Sequence, residues 1–255
     1  MTASKDSVNQ PFFRKGGSTP PDPSYDPVTA LGANLLHFWD AETPSSITQT
    51  GGNVSQWRDR IANIAMSQAV SGLQPTYSTA EINNRAGVTF DGLDDNLEAS
   101  NPALPLGSTS REIWILASNA ALTGNLNSVF AYGTSNSNRI VSISLTPSNY
   151  FTSAVGLGGA SVIEPTTSDI WAYAGVARLV LNNGQATLSS NNRSSNTIAG
   201  TPATQATTAR IGAHSFTLPS RYWRGTISAI MITSPLSTTD RNNLMSYLLA
   251  RGGVV

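Results

Sequence analysis

Cleaving a glycosidic bond takes two carboxyl groups flanking that bond, roughly 5–9.5 Å apart. The 255-residue sequence offers few candidates: its glutamates are Glu42, Glu81, Glu98, Glu112 and Glu164, and no two are spaced to share one face of a strand. Acid concentrates only at Asp91, Asp94, Asp95 and Glu98. Asp94 and Asp95 are adjacent, so in a strand they point to opposite faces. This pattern does not predict an enzyme, and a polysaccharide hydrolase with a non-standard site ranks third among the readings. Asp91, Asp94, Asp95 and Asn96 are also the candidate calcium ligands, because calcium collects six to eight oxygens from carboxylates, amides and carbonyls. No complete calcium-loop spacing is present, and a turn fixed by Asx hydrogen bonds accounts for the same residues. No other cofactor is expected.

Other chemistries have less to stand on. His37 and His214 are the only histidines, and with 33 serines a Ser–His pairing on paper means nothing. His37 lies in an apolar run and reads as a satisfied sheet residue, whereas His214 reads as an exposed loop residue. Gly156-Leu157-Gly158-Gly159 lacks the Lys-Ser/Thr of a phosphate loop. The absence of cysteine excludes thiol chemistry. Sugar recognition needs aromatic faces beside amides and acids, and Tyr222, Trp223 and Arg224 are its candidates, with Tyr150-Phe151 and the loop 191–196 nearby in type. For Trp223 the competing expectation is core packing, since aromatics dominate cores.

The elements that must carry these residues follow from composition. Charged residues make up 12% of the chain, about half the ~25% usual for soluble domains. Serine, threonine and asparagine number 33, 27 and 21. Such a chain suits many short strands and turns, not helical bundles. The balance of 15 basic and 15 acidic residues argues against nucleic acid as a partner, which demands clustered cations. No apolar stretch approaches the ~18 residues of a membrane span. Runs at Leu35–Trp39, Gly87–Phe90, Ile113–Ala117, Val129–Tyr132, Ile140–Leu145, Trp171–Leu181, Thr208–Ile211 and Thr226–Ile232 predict strands. Asn182-Asn183-Gly184 predicts a hairpin turn. A helix is predicted after Ser237, with Leu244, Tyr247 and Leu248 as its apolar stripe and Gly252-Gly253 as its stop.

Residues 1–30 stand apart. Four prolines between Pro20 and Pro27 predict an extended arm, and Phe12, Phe13, Arg14 and Lys15 ahead of them form a candidate docking peptide. The body is expected over 31–255. Met1–Gln10 is polar and lacks the apolar core of a secretory signal.

Taken in order, His37-Phe38-Trp39-Asp40, Gln56-Trp57-Arg58-Asp59, Phe90-Asp91-Gly92-Leu93-Asp94-Asp95, Arg210-Ile211-Gly212, Trp223-Arg224-Gly225-Thr226 and the Tyr247-Leu248 helix resemble the concanavalin A-like, laminin-G-type jelly roll. That resemblance implies an all-β, two-sheet antiparallel sandwich with a short C-terminal helix. It also implies a calcium at the loop rim in some relatives, and in its glucanases a Glu-x-Asp-x-x-Glu strand that is missing here. Such domains occur in tailed-bacteriophage structural proteins. The leading expectation is thus a non-enzymatic virion protein of the tail, fibre or head-decoration type, assembled in the host cytoplasm. Its arm would bind other virion proteins, its sandwich would form homo-oligomers on the particle, and host-surface glycan would be its ligand. The alternative is a bacterial extracellular carbohydrate-binding or adhesion module.

Overall fold

The computed structural model describes residues 24–119, 126–134, 139–146, 151–156, 174–191, 196–200, 202–205, 208–214 and 221–254. Phe12, Phe13, Arg14 and Lys15 lie outside them. In chain order the described elements are helix α1 (Pro27–Leu31), then β1 (Leu35–Asp40), β2 (Ile47–Thr50), β3 (Asn53–Arg58), β4 (Ala65–Ser67), β5 (Thr76–Ile82), β6 (Arg85–Asp91), β7 (Leu97–Ser100) and β8 (Arg111–Asn119). There follow β9 (Asn127–Thr134), β10 (Arg139–Leu145), β11 (Phe151–Val155), β12 (Ala174–Asn182), β13 (Gln185–Ser190), β14 (Asn196–Ala199), β15 (Thr208–Ile211), β16 (Arg224–Thr233) and helix α2 (Thr238–Arg251). The chain is all-β with a C-terminal helix, as the composition implies.

Hydrogen bonding runs without a break from β11 through β10, β9, β15, β7, β4, β3, β5, β6, β16, β8, β12 and β13 to β14, with β2 on β3 and β1 on β16. The described strands therefore form one continuous antiparallel ladder. It narrows to a single residue pair at Asn53↔Thr76 and again at Ser67↔Glu98. The ladder bends around one core, where Trp39 of β1 meets Phe130 of β9 with ring centroids 6.0 Å apart.

The middle strands are buried on both faces, which is why they read as unbroken apolar runs. Along β8, Ile113, Ile115 and Ala117 enter the main core, while Trp114 and Leu116 face the second cluster under α2. On β16 the same parity needs one extra residue. Ile227, Ile230 and Ile232 face inward and Ala229 and Met231 outward, and a bulge between Ile227 and Ala229 absorbs Ser228. Such a bulge inserts one unpaired residue and so exchanges the faces. Gly225 permits the approach of β8: at φ +146, an added Cβ would lie 2.1 Å from the Ser118 carbonyl oxygen.

Helix α2 begins as its sequence predicts. The Ser237 hydroxyl accepts the Asp240 N–H and donates to the Asp240 carboxylate. Leu244, Met245, Leu248 and Arg251 are its buried residues. The wholly buried Glu112 of β8 holds this end, accepting from the Leu236 N–H at 3.1 Å and from Arg241 at 2.6 Å. Helix α1 was not expected from the proline pattern. Asp26 caps it by accepting from the Val28 and Thr29 N–H groups, and Pro27 takes the first helical position, where its missing donor costs nothing. Tyr25 then packs on Tyr247 of α2 at 5.5 Å, and burial pushes its phenol up to about 12. The packed body thus begins before residue 31. Among the described residues no helix is long and apolar enough to cross a membrane.

Candidate functional site

Two loops and the entry to β16 assemble a cleft of about 420 Å³, lined by Ser67, Gln68, Leu73, Asp94, Asn96, Glu98, Ser100 and Tyr222. The 91–96 loop is shaped by its own carboxylates. Asp91 accepts the Leu93 N–H at 2.8 Å through Oδ1, and Asp95 accepts the Asp91 N–H at 2.9 Å. Gly92 makes the bend at φ +81, a conformation that favours glycine. The Asn96 side chain donates to the Asp94 carbonyl at 3.0 Å. The neighbouring 68–74 loop is tied on by the Asn96 N–H donating to the Leu73 carbonyl and by the Gln68 amide donating to the Asn96 carbonyl. These are Asx-type turns, which use side-chain oxygens where a strand would use its ladder.

Glu98 and Ser100 of β7 line the cleft, and β15 backs β7. Arg210, itself buried, donates to the Glu98 carboxylate at 2.7 Å through Nε and to the His214 carbonyl at 3.1 Å. His214 corrects its expected exposure. It is only 2% accessible, and burial, with the Arg221 and Arg210 cations adding to it, pushes its imidazole down to about 3. A neutral imidazole is the form that burial selects.

Tyr222 is half-buried and lines the cleft. Burial raises its phenol, as does the nearby Asp94 carboxylate. Trp223 is 0% accessible and belongs to the main core, so as a sugar contact it is a misreading; core packing accounts for it. Arg224 is exposed and lines a second opening of about 440 Å³ with Asp91, Asn119 and Gly225. The triplet is thus split between two surfaces and the core. Tyr150 and residues 192–195 lie outside the described residues.

One carboxylate oxygen each of Asp91, Asp94 and Asp95 lies within 4.8 Å of the other two. Burial comes first, then the Asp91 and Asp94 charges, in pushing Asp95 up to about 6, against the pull of the Asp91 N–H. Hard oxygen donors suit calcium, but one oxygen each of Asp91 and Asp95 already serves the turn, and the Asn96 amide donates within it. Three carboxylates fall well short of a six-to-eight-oxygen shell. His37 shows how a sheet residue is satisfied: its Nδ1 lies 2.9 Å from Asp59. Burial alone would raise the Asp59 carboxyl, but His37 and the Phe38 and Ile61 N–H groups hold it below its ordinary value.

Sequence reasoning reached Asp94, Asn96, Glu98 and Tyr222 but missed Ser67, Gln68, Leu73 and Ser100. Nothing in their local pattern marks them, since they gain meaning only when β4 lies beside β7.

No protein-family model matches the chain, and no curated protein matches it in sequence. Solved structures do. The sialidase of Trypanosoma rangeli in complex with sialic acid superposes with a TM-score of 0.56 at 16% identity, over 86% of this chain and 34% of that one. A variant of a GH54 α-L-arabinofuranosidase gives 0.55 at 12% identity, over 86% of this chain and 60% of that one. The CBM40 module of a Ruminococcus gnavus sialidase bound to α2,6-sialyllactose reaches 0.47 at 12% identity, too low to establish a shared fold. The chain therefore spans about a third of the sialidase and three fifths of the arabinofuranosidase, and at these identities the likeness is one of fold. It overturns the expectation of a non-enzymatic virion structural protein. The sialidase and the arabinofuranosidase that superpose on this chain are glycosidases, and neither virion partners nor assembly on a particle has support in that likeness. The laminin-G-type pattern that suggested a phage protein belongs to the fold, which hosts many functions.

Proposed function

We propose that this chain is a carbohydrate-active domain that holds glycan in the Tyr222 cleft, the carbohydrate-binding alternative of the sequence reading. The observation that carries this is the convergence of a half-exposed aromatic ring, two side-chain amides (Gln68 and Asn96) and two carboxylates (Asp94 and Glu98) on one concave surface. Sugars present apolar ring faces and hydroxyl edges, and a site for them needs both kinds of group. On this reading the two arms of the ladder, joined at Asn53↔Thr76, act as the two layers of a jelly roll, and the cleft lies at one end.

Replacing Tyr222 with Ala is expected to weaken binding to a responsive glycan roughly tenfold or more, the cost of truncating an aromatic anchor. The melting temperature should barely move, because the ring is not in the core. Isothermal titration on the wild type and on Tyr222→Ala checks this. Equal affinity in both proteins would refute the assignment of the cleft.

A second reading, glycoside hydrolysis, is favoured by Asp95. A carboxyl pushed up to about 6, by burial first and by the Asp91 and Asp94 charges, has the proton affinity of a general acid. Incubation with polysaccharide should then release reducing sugar from the wild type and none from Asp95→Asn. Wild-type protein that binds glycan but releases nothing would remove this reading and leave the first.

A further inference from the structure

The charge on the cleft points to the kind of sugar it takes. Its described lining holds two carboxylates, Asp94 and Glu98, and no lysine or arginine. Glu98 is matched by Arg210, whose guanidinium is buried behind it and committed to that carboxylate and to the His214 carbonyl. Asp94 is different. It is partly exposed, and its carboxylate has no ion-pair or hydrogen-bond partner among the described residues, since its polar contacts run through its own backbone. Asp91 and Asp95 stand behind it in the same loop. Arg224 opens onto the other surface, and Arg221 precedes Tyr222 without lining the cleft.

We infer, on the reading that this cleft binds glycan, that its preferred ligand is an amino sugar bearing a protonated amine, held by Asp94, and that acidic sugars are excluded. An ammonium placed between Tyr222 and Asp94 gains a charge-assisted hydrogen bond to the carboxylate and the negative face of the aromatic ring. A sialic or uronic acid in the same place brings a carboxylate toward Asp94 and Glu98 with no cation in the lining to receive it, and like-charge placement is a strong basis for rejecting a ligand. Specificity would thus be opposite in sign to the sialic acid found with the sialidase that shares the fold.

Two matched pairs of ligands test this with the full chain by isothermal titration. In one, glucosamine oligomers are compared with N-acetylglucosamine oligomers of equal length, and in the other lactose is compared with sialyllactose. The expected result is about tenfold tighter binding of the amine-bearing oligomer and about tenfold weaker binding of sialyllactose. In Asp94→Asn the amine preference should fall below about threefold. Tyr222→Ala should weaken binding of every ligand. The inference is overturned if sialyllactose binds as tightly as lactose, or if the amine preference survives in Asp94→Asn. Equal binding of both oligomers overturns it too, while leaving the glycan-binding reading intact. If none of the four ligands binds, that reading falls and takes this one with it.

Discussion

Arg251→Met should cost the fold about 3–5 kcal/mol, the usual penalty for removing one partner of a buried ion pair. Arg251 closes the last turn of α2, is 2% accessible, and lies 2.8 Å from the Asp40 carboxylate. The same guanidinium donates to the Ser228 carbonyl at 2.7 Å and to its hydroxyl. Ser228 is the extra residue of the β16 bulge, so its carbonyl lies where the ladder with β8 is interrupted. Methionine preserves bulk and helix propensity, and what it removes is the charge and the fork of donors. Asp40 then keeps only Arg60 as a cation, the Ser228 hydroxyl loses its donor, and the Ser228 carbonyl is left with the Ala41 N–H alone. Urea unfolding, followed by tryptophan fluorescence, reads the loss as a lower midpoint. Arg251→Lys should fall between the two, because an ammonium keeps the charge but cannot serve Asp40 and Ser228 together. A loss under about 1 kcal/mol in Arg251→Met would contradict the role given to this cluster.

The second large effect is a pH-dependent gain. Asp95 has an ordinary value of 3.8 in the unfolded chain and about 6 in the folded one. Between those values the native state binds more protons than the unfolded state, so this group's contribution falls as pH rises. It is fully present below about pH 4 and lost once the pH has passed 6. Two pKa units correspond to about 2–3 kcal/mol. Asp95→Asn keeps an oxygen to accept the Asp91 N–H but carries no charge to repel Asp91 and Asp94. It should therefore match the wild type near pH 4 and exceed it by about 1–3 kcal/mol at pH 8. Asp26 and Asp59, both held below the ordinary range, add stability with the opposite sign as pH rises. The difference between the two proteins isolates Asp95. A difference that does not change with pH would show that Asp95 is not protonated on folding. If hydrolysis is the chain's activity, the variant is more stable and inactive at once.

The strands easiest to see in the sequence were those buried twice. Ile113–Ala117 and Thr226–Ile232 face a core on each side, so the first is apolar throughout and the second is apolar apart from Thr226 and the bulge residue Ser228, and both lie inside observed strands. The Asn183-Gly184 turn was equally legible, because both residues take the positive φ that a two-residue hairpin demands. Strands β2 and β7 escaped notice because they are short, and β5 because it is largely polar and exposed; only their neighbours make them strands. Helix α1 was hidden by prolines that read as a linker, although Asp26, Pro27 and Gly32 supplied a cap, a first-turn residue and a stop. His214 was misplaced because Gly-Ala-His-Ser looks like a surface loop, and only the fold brings Arg210 and Arg221 around it. The cleft was half visible. Its acids and Tyr222 stood out by type, but its amides come from a segment whose relation to them is set by the pair Ser67↔Glu98. Function was the least legible, because a motif series that specifies a fold carries no information on which of its tasks a chain performs.

The place of β16 has a consequence for how the molecule is made. Its first residues pair with β6, its later ones with β1, and its opposite edge with β8 along its length. Three strands synthesised far earlier thus wait for residues 224–233 to leave the ribosome. Until then the nascent chain carries open strand edges, the kind of surface that invites mispairing between copies. Closing loops of nearly two hundred residues is also slow. Chaperone occupancy during translation, and the yield of soluble protein at low temperature, should depend on that delay more than on the stability of the finished fold.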